Sequence, residues 1–273
     1  MSYATLMVYV DAHGPSEQRV QLAASLADRF NATLIGVSAL AIRSIMVVEG
    51  AVIEDMTEAD VKDTTIKLAS QESWFRNTVG AEHRKLEWRP VLDDPTEGLA
   101  REARAADLVV IRRTRKSGDV YAELDPGGAI LNMGRPALVA PDGVSSLRAE
   151  HVVVGWKDTR EARRALRDAF PFLQGAKRVT IVEICMPGDE EKARQDIDDV
   201  ARYLTRHQIS SGPWITLQQE GTGASQLIRV AQDERADLVV AGAYGHSRLG
   251  EWMFGGMTQD LLAMSPICCL MSH

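Results

Sequence analysis

The sequence predicts two doubly wound α/β domains in tandem, and three observations support this fold class. The segment Ala-Asp-Leu-Val-Val occurs at residues 106–110 and again at residues 236–240. Fully apolar strand-like segments alternate with helical ones in both halves, as expected for parallel strands covered by helices on both faces. Aromatic residues make up only 5% of the chain. The core must therefore be mainly aliphatic, which suits helices packed on a parallel sheet.

The repeat extends beyond the shared segment. Each half continues with a Gly-Gly pair, at 127–128 and 255–256, and ends with a Pro-led apolar strand, at 136–140 and 266–270. Because these features recur in the same order, they indicate a duplicated unit. Turn residues at 140–146 separate the copies, so we expect domains at residues 1–146 and 147–273.

Within each copy the predicted order is five strands alternating with four helices. Right-handed crossovers then give a doubly wound sheet, which binds ligands outside the carboxyl ends of its strands. Asp11 and Lys157 follow the first strand of their copies, and Gly242 and Gly245 follow the fourth strand of the second copy. We expect Lys157 and the two glycines to face one crevice.

Composition excludes several classes of function. The net charge is −7 and no long basic segment is present, so nucleic acid is not an expected partner. No run of about 18 apolar residues predicts a membrane span, and the N-terminus lacks a signal-peptide pattern. The expected location is therefore the cytoplasm. Cys185, Cys268 and Cys269 suggest neither a disulfide framework nor a metal site.

A glycine-rich loop in the second copy is the main candidate site. Gly242 and Gly245 follow a strand, and Gly255 and Gly256 precede a helix that contains Thr258. Backbone N–H groups of such a loop and of the following helix start can hold phosphate oxygens. The alternative interpretation is that the glycines serve tight turns and the packing of strand against helix.

This loop resembles that of the universal stress protein family, whose motif is Gly, two residues, Gly, nine residues, Gly, then Ser or Thr. Gly242, Gly245 and Gly255 match it in register. The resemblance covers both halves and implies two Rossmann-like, adenine-nucleotide-hydrolase-like domains. It also implies that ATP phosphates bind the loop, that an Asp after strand one contacts the adenosine, and that the last strands pair to form an internal pseudo-dimer.

The sequence departs from the family pattern in both halves. The second copy has Lys157 where the Asp is expected and Gly256 where Ser or Thr is expected. The first copy keeps Asp11 but has Arg-Arg-Thr-Arg at residues 112–115 in place of the glycines. The predicted nucleotide-binding residues are Gly242, Gly245, His246, Gly255, Gly256, Thr258, Trp156 and Lys157, with Asp11 as a candidate in the first domain.

Two functions remain open. The first is a non-catalytic stress-response or regulatory protein that binds ATP or another adenine nucleotide in its second domain, with no metal beyond a nucleotide-associated Mg²⁺. The second is a stress protein that binds no nucleotide and acts through protein contacts or another small ligand. No catalytic motif predicts an enzyme, although the family resemblance leaves slow ATP hydrolysis open. Valine at Gly242 or Gly245 is expected to weaken nucleotide binding with little loss of fold.

An insert at residues 41–80 distinguishes the first copy from the second. It contains an apolar segment, an acidic segment and a predicted helix from Ala59 to Val79 that carries Trp74 and Phe75. Three roles are open for this insert: covering the crevice, supporting a contact in a homodimer, or packing in the core.

Overall fold

The computed structural model describes residues 2–11, 16–42, 45–48, 51–54, 58–80, 85–114, 123–219, 221–245 and 256–273. Among these residues, no helix is long and apolar enough to cross a membrane.

The first half alternates strands and helices, with a hairpin inserted after its second strand. The elements are β1 (Thr5–Tyr9), α1 (Glu17–Phe30), β2 (Thr33–Ala39), β3 (Ile45–Val48), β4 (Ala51–Glu54), α2 (Glu58–Val79), β5 (Leu86–Val91), α3 (Pro95–Glu102), β6 (Leu108–Arg112), α4 (Pro126–Asn132) and β7 (Ala137–Ala140). A short 3₁₀ turn at Ala103–Ala105 follows α3.

The second half repeats the order without the hairpin. Its elements are β8 (His151–Trp156), α5 (Arg160–Asp168), α6 (Phe170–Leu173), β9 (Arg178–Cys185), α7 (Glu190–Arg206), β10 (Gly212–Leu217), α8 (Gly223–Asp233), β11 (Leu238–Gly242), α9 (Gly256–Met264) and β12 (Cys268–Ser272). The boundary predicted near residue 147 falls in the connection from β7 to β8.

One ten-stranded sheet runs through both halves in the order β10-β9-β8-β11-β12-β7-β6-β1-β2-β5. Within each half of this sheet all strand pairs are parallel. β1 lies between β2 and β6, and β8 lies between β9 and β11. Strand order therefore reverses beside β1 and beside β8, where doubly wound sheets bind ligands. This arrangement confirms the predicted fold class.

The two half-sheets join through their last strands. β7 and β12 pair antiparallel, with Leu138 opposite Leu270 and Val139 opposite Cys269. The predicted internal pseudo-dimer is thus present, and its seam is a backbone hydrogen-bonded ladder.

All three cysteines are free and buried, and burial raises the pKa of Cys268 to about 12 and that of Cys269 to about 11.

Helices cover both faces of the sheet. One core layer lies beneath α1, α2, α5, α6 and α7, and the other beneath α3, α4, α8 and α9. The insert contributes the antiparallel β3–β4 hairpin, which the sequence did not reveal, and α2, which matches the predicted helix. Phe75 of α2 is buried against Trp88, with ring centroids 5.4 Å apart, so part of the insert packs in the core.

Candidate functional site

A cavity of about 350 Å³ lies at the carboxyl ends of the second-half strands, beside the point where strand order reverses. The ends of β8 and β11 with the loops after them, and residues of α5, α8 and α9, form its walls, and the end of β9 and the residue that follows β10 also line it. Six of the residues predicted from sequence line it together: Trp156, Lys157, Gly242, Gly245, Gly256 and Thr258. The other two predicted residues, His246 and Gly255, lie outside the described residues.

Gly242 and Gly245 both face the first turn of α5. A Cβ at Gly242 would lie 2.6 Å from the backbone nitrogen of Ala162 and 2.8 Å from the carbonyl carbon of Glu161. The glycine is therefore required for the contact between β11 and α5. This contradicts the expectation that valine at Gly242 leaves the fold nearly intact.

Gly245 has more room. Its Cβ would lie 3.3 Å from the Glu161 carboxylate and 3.7 Å from the Thr159 methyl group, both of them side-chain atoms that can move. Gly256 at the start of α9 has no atom within 4 Å of the position of a Cβ. Gly256 therefore leaves open space in the cavity, whereas a side chain at Gly245 would have to displace the Glu161 carboxylate slightly.

Thr258 acts within the loop itself. Its side chain is buried, and its hydroxyl accepts a hydrogen bond from the backbone N–H of Tyr244 at 2.9 Å. Tyr244 has a positive φ of 54°, which non-glycine residues adopt only when their surroundings hold them there. Thr258 thus holds the start of the glycine loop against α9, a role that no sequence pattern indicated.

A buried carboxylate that the sequence analysis missed also lines this cavity. Glu161 is 2% exposed and lies in the first turn of α5, after the N-cap residue Thr159. Burial raises the pKa of Glu161, but hydrogen bonds from Arg160, from the backbone N–H of Glu161 and from Thr159 outweigh it, so the pKa lies below its ordinary value. The helix-start pattern of Thr followed by Glu, just after β8, is the signal that could have revealed it.

The charges on the cavity wall are therefore mixed. Among the described lining residues Lys157 is the cation and is exposed, whereas Glu161 is an anion and is buried. A phosphate group would be attracted by Lys157 and by the N-terminus of α9. It would be repelled by Glu161, and the repulsion is stronger because that carboxylate is shielded from solvent.

In the first domain, arginine side chains occupy the corresponding crevice. Arg112 ends β6 as Gly242 ends β11, and its Nε donates to Asp11 at 3.0 Å. Arg19 of α1 also binds Asp11, and both arginines are at least 94% buried. Both carboxylate oxygens of Asp11 are thus held by guanidinium groups, which leaves it little capacity to accept a bond from a ribose.

The first-domain helix start is also occupied by a side chain. Asp125 caps α4, and its two carboxylate oxygens accept the backbone N–H groups of Gly127 and Gly128, each at 3.0 Å. These N–H groups are the ones that the Gly-Gly pair would otherwise offer to a phosphate. The first domain therefore satisfies with its own residues the groups that the second domain leaves on an open cavity.

Comparison with known proteins identifies the fold and the family of the second half. The model of the Universal stress protein family matches residues 148–273. No curated protein is significantly similar in sequence.

Several solved structures resemble the whole chain. A universal stress protein from Archaeoglobus fulgidus DSM 4304 superposes with a TM-score of 0.76 at 12% identity, over 98% of this chain and 95% of that one. A functionally unknown protein from Pseudomonas aeruginosa PAO1 superposes with a TM-score of 0.60 at 12% identity, over 99% of this chain and 92% of that one. At this identity the likeness establishes the fold. Residues 148–273 therefore form a domain of the universal stress protein family, and the first half of the chain repeats the fold of that domain.

Proposed function

We propose that the second domain binds an adenine nucleotide in the cavity between β8, β11 and α9, and that the chain acts as a non-catalytic stress-response or regulatory protein. The convergence of six predicted residues on one cavity supports this proposal most strongly. The nucleotide phosphates would lie against Gly245, Gly256 and the first turn of α9. The nucleoside would extend toward Ile184 and Gln218.

The proposal is for binding rather than turnover. Catalysis of hydrolysis requires a positioned general base or nucleophile. Among the described residues that line the cavity, the acidic group is Glu161, and hydrogen bonds keep it ionised and engaged. We therefore expect any Mg²⁺ to arrive with the nucleotide and any hydrolysis to be slow.

Isothermal titration calorimetry with ATP, ADP and AMP tests the proposal. We expect binding with a dissociation constant below about 1 mM, and loss of binding in Gly245→Val, whose side chain would project into the cavity. Gly212→Val is the matched control, because Gly212 lies on edge strand β10 with no atom within 4 Å of a Cβ. Absence of binding by all three nucleotides to the folded protein would overturn the proposal.

The alternative, a protein that binds no nucleotide, is favoured by one observation. Glu161 places a buried negative charge against Gly245, where phosphate would lie. Substitution Glu161→Gln preserves the shape of the side chain and removes the charge. If Glu161 only weakens a real site, Glu161→Gln should raise ATP affinity by about tenfold or more, equivalent to about 1.4 kcal/mol. If neither the wild type nor Glu161→Gln binds ATP, the alternative is supported.

A further inference from the structure

The two edge strands of the ten-stranded sheet differ in how they are protected. β5 and β10 lie at the two ends of the strand order, and no described strand pairs with the outer side of either. β5 carries Glu87, Arg89 and Pro90. Charged residues and prolines hinder the pairing of an edge strand with another chain. β10 carries no charged residue, so this edge lacks the protection that charge gives to β5.

β10 also exposes large apolar side chains. Trp214 and Leu217 are each 41% exposed. The hydroxyl of Thr216 accepts a hydrogen bond from Gln226 of α8 at 3.1 Å, so Trp214, two residues earlier, lies on the α8 face of the sheet. An exposed, apolar edge strand without charges is the kind that pairs readily with a further strand.

Backbone groups of successive residues in β10 point to opposite sides of the strand. Gln218, just after the strand, donates its N–H to the carbonyl of Cys185 in β9 at 2.8 Å. Residues an even number of positions before Gln218 therefore also direct their backbone groups toward β9. The residues between them, Pro213, Ile215 and Leu217, direct theirs toward the outer edge.

This outer edge is complementary to itself. Pro213 has no N–H to donate, and the carbonyl of Leu217 already accepts a hydrogen bond from Nε2 of Gln226 at 2.7 Å. In an antiparallel pair centred on Ile215, Pro213 of one copy lies opposite Leu217 of the other. The missing donor then faces the engaged acceptor, while the Leu217 N–H donates to the Pro213 carbonyl and the two Ile215 residues exchange both of their bonds. An extended peptide of another sequence would instead place an N–H against the engaged carbonyl.

The side chains fit the same register. Trp214 of each copy lies opposite Thr216 of the other, and such aromatic and β-branched pairs stabilise antiparallel strands. Antiparallel pairing of last strands already joins the two halves of this chain at β7 and β12, so the sheet would continue across the new contact in the same manner. We propose that β10 pairs antiparallel with β10 of a second copy of this chain, centred on Ile215, to form a homodimer with one continuous sheet.

Sedimentation velocity of the full chain tests the dimer. One strand pair with its flanking side chains is a small interface, so we expect reversible dimerisation with a dissociation constant of about 1–100 µM. Hydrogen exchange followed by mass spectrometry should show about two amides in the β10 peptide that become protected only above this concentration. These are the N–H groups of Ile215 and Leu217.

Lysine variants locate the interface. Trp214→Lys and Leu217→Lys each bring two like charges close to the strand pair and should weaken dimerisation by at least about tenfold. Trp74→Lys is the matched control, because Trp74 is a similarly exposed tryptophan, at 37%, on α2 of the insert. It should leave dimerisation unchanged. Thermal unfolding of each variant confirms that it is folded.

Three results would overturn the proposal. A folded wild type that stays monomeric up to about 500 µM would exclude a second copy and favour a strand of another protein as the partner of β10. Loss of the dimer in Trp74→Lys would place the interface on the insert. A dimer without added protection of the Ile215 and Leu217 amides would show that the contact does not use the strand edge.

Discussion

At the scale of single residues, Gly242 and Gly245 belong to one sequence motif but occupy different structural surroundings. Gly242 is required by backbone atoms of α5 that approach to 2.6 Å of its missing Cβ, whereas Gly245 meets only side-chain atoms at 3.3 Å and beyond. Sequence spacing cannot separate these two cases, because both satisfy the same pattern. Only the first is explained by packing alone, so Gly245 is the better position at which to test ligand binding.

Alanine substitutions should separate the two roles. Gly242→Ala forces a methyl group into the backbone of α5 and should lower the free energy of unfolding by about 1–3 kcal/mol, as overpacking does. Gly245→Ala should change it by less than about 0.5 kcal/mol. Urea denaturation measures both values. Equal destabilisation by the two variants would contradict the distinction.

The carboxyl group of Glu183 should make stability depend on pH. Burial raises its pKa to about 7 in the folded protein, above the value of about 4.3 expected in the unfolded chain. The folded state therefore binds the proton more tightly, and this contribution is fully present at low pH and is lost as pH rises through about 7.

Glu183→Gln removes this dependence. We expect the variant to gain roughly 2 kcal/mol relative to the wild type between about pH 5 and about pH 8. Urea denaturation of both proteins across this range provides the measurement. A stability difference that is constant with pH would show that Glu183 does not titrate there.

At the scale of elements, the start of α5 connects folding to the candidate nucleotide site. Thr159 caps the helix by accepting the Ala162 N–H at 3.2 Å, donates to Glu161 and lines the cavity. A second threonine, Thr222, caps α8 in the same way by accepting the Ser225 N–H at 3.2 Å. Thr222 is not among the residues that line the cavity.

The two caps form a matched pair for mutation. Thr159→Ala and Thr222→Ala should each lower the free energy of unfolding by about 1 kcal/mol, the usual effect of losing an N-cap. Only Thr159→Ala should change nucleotide affinity, because it alone releases Glu161. Denaturation and calorimetry on the same samples test this. An equal change in affinity for both variants would assign the effect to general loosening of the domain.

Elements were also the scale at which sequence was most informative. The duplicated Ala-Asp-Leu-Val-Val strands and the helix predicted from Ala59 to Val79 followed from apolar periodicity and from repetition. The pairing of the last strands followed from the family resemblance. The β3–β4 hairpin did not, because its short strands pair only with each other. Glu161 and Arg112 were missed as occupants of the crevices, since their roles depend on contacts between elements distant in sequence.

At the scale of the whole molecule, the two domains share one sheet. The β7–β12 ladder joins them, with Leu138 and Leu270 both fully buried at its centre. A backbone hydrogen bond of 2.9 Å from Thr114 to Leu262 adds a second link. A third contact brings the Tyr244 hydroxyl, next to Gly245 in the candidate site, to 2.2 Å from the position of a Cβ on Gly127. The halves are thus not independent modules on a linker.

This continuity predicts that the halves unfold as one cooperative unit. Leu138→Ala lies in the first half but removes packing at the seam, and should destabilise both halves together by about 2–4 kcal/mol, within the range for buried leucines. Hydrogen exchange followed by mass spectrometry reports on peptides of β1 and β8 separately in the same denaturant series. Both should lose protection at one midpoint, and that midpoint should move equally in the variant.

Leu34→Ala, at an equally buried position of β2 away from the seam, is the control. If the halves are coupled through the sheet, Leu34→Ala should also shift both midpoints together. Two midpoints in the wild type, or a shift confined to the first half in either variant, would show that the ladder joins domains that are stable on their own.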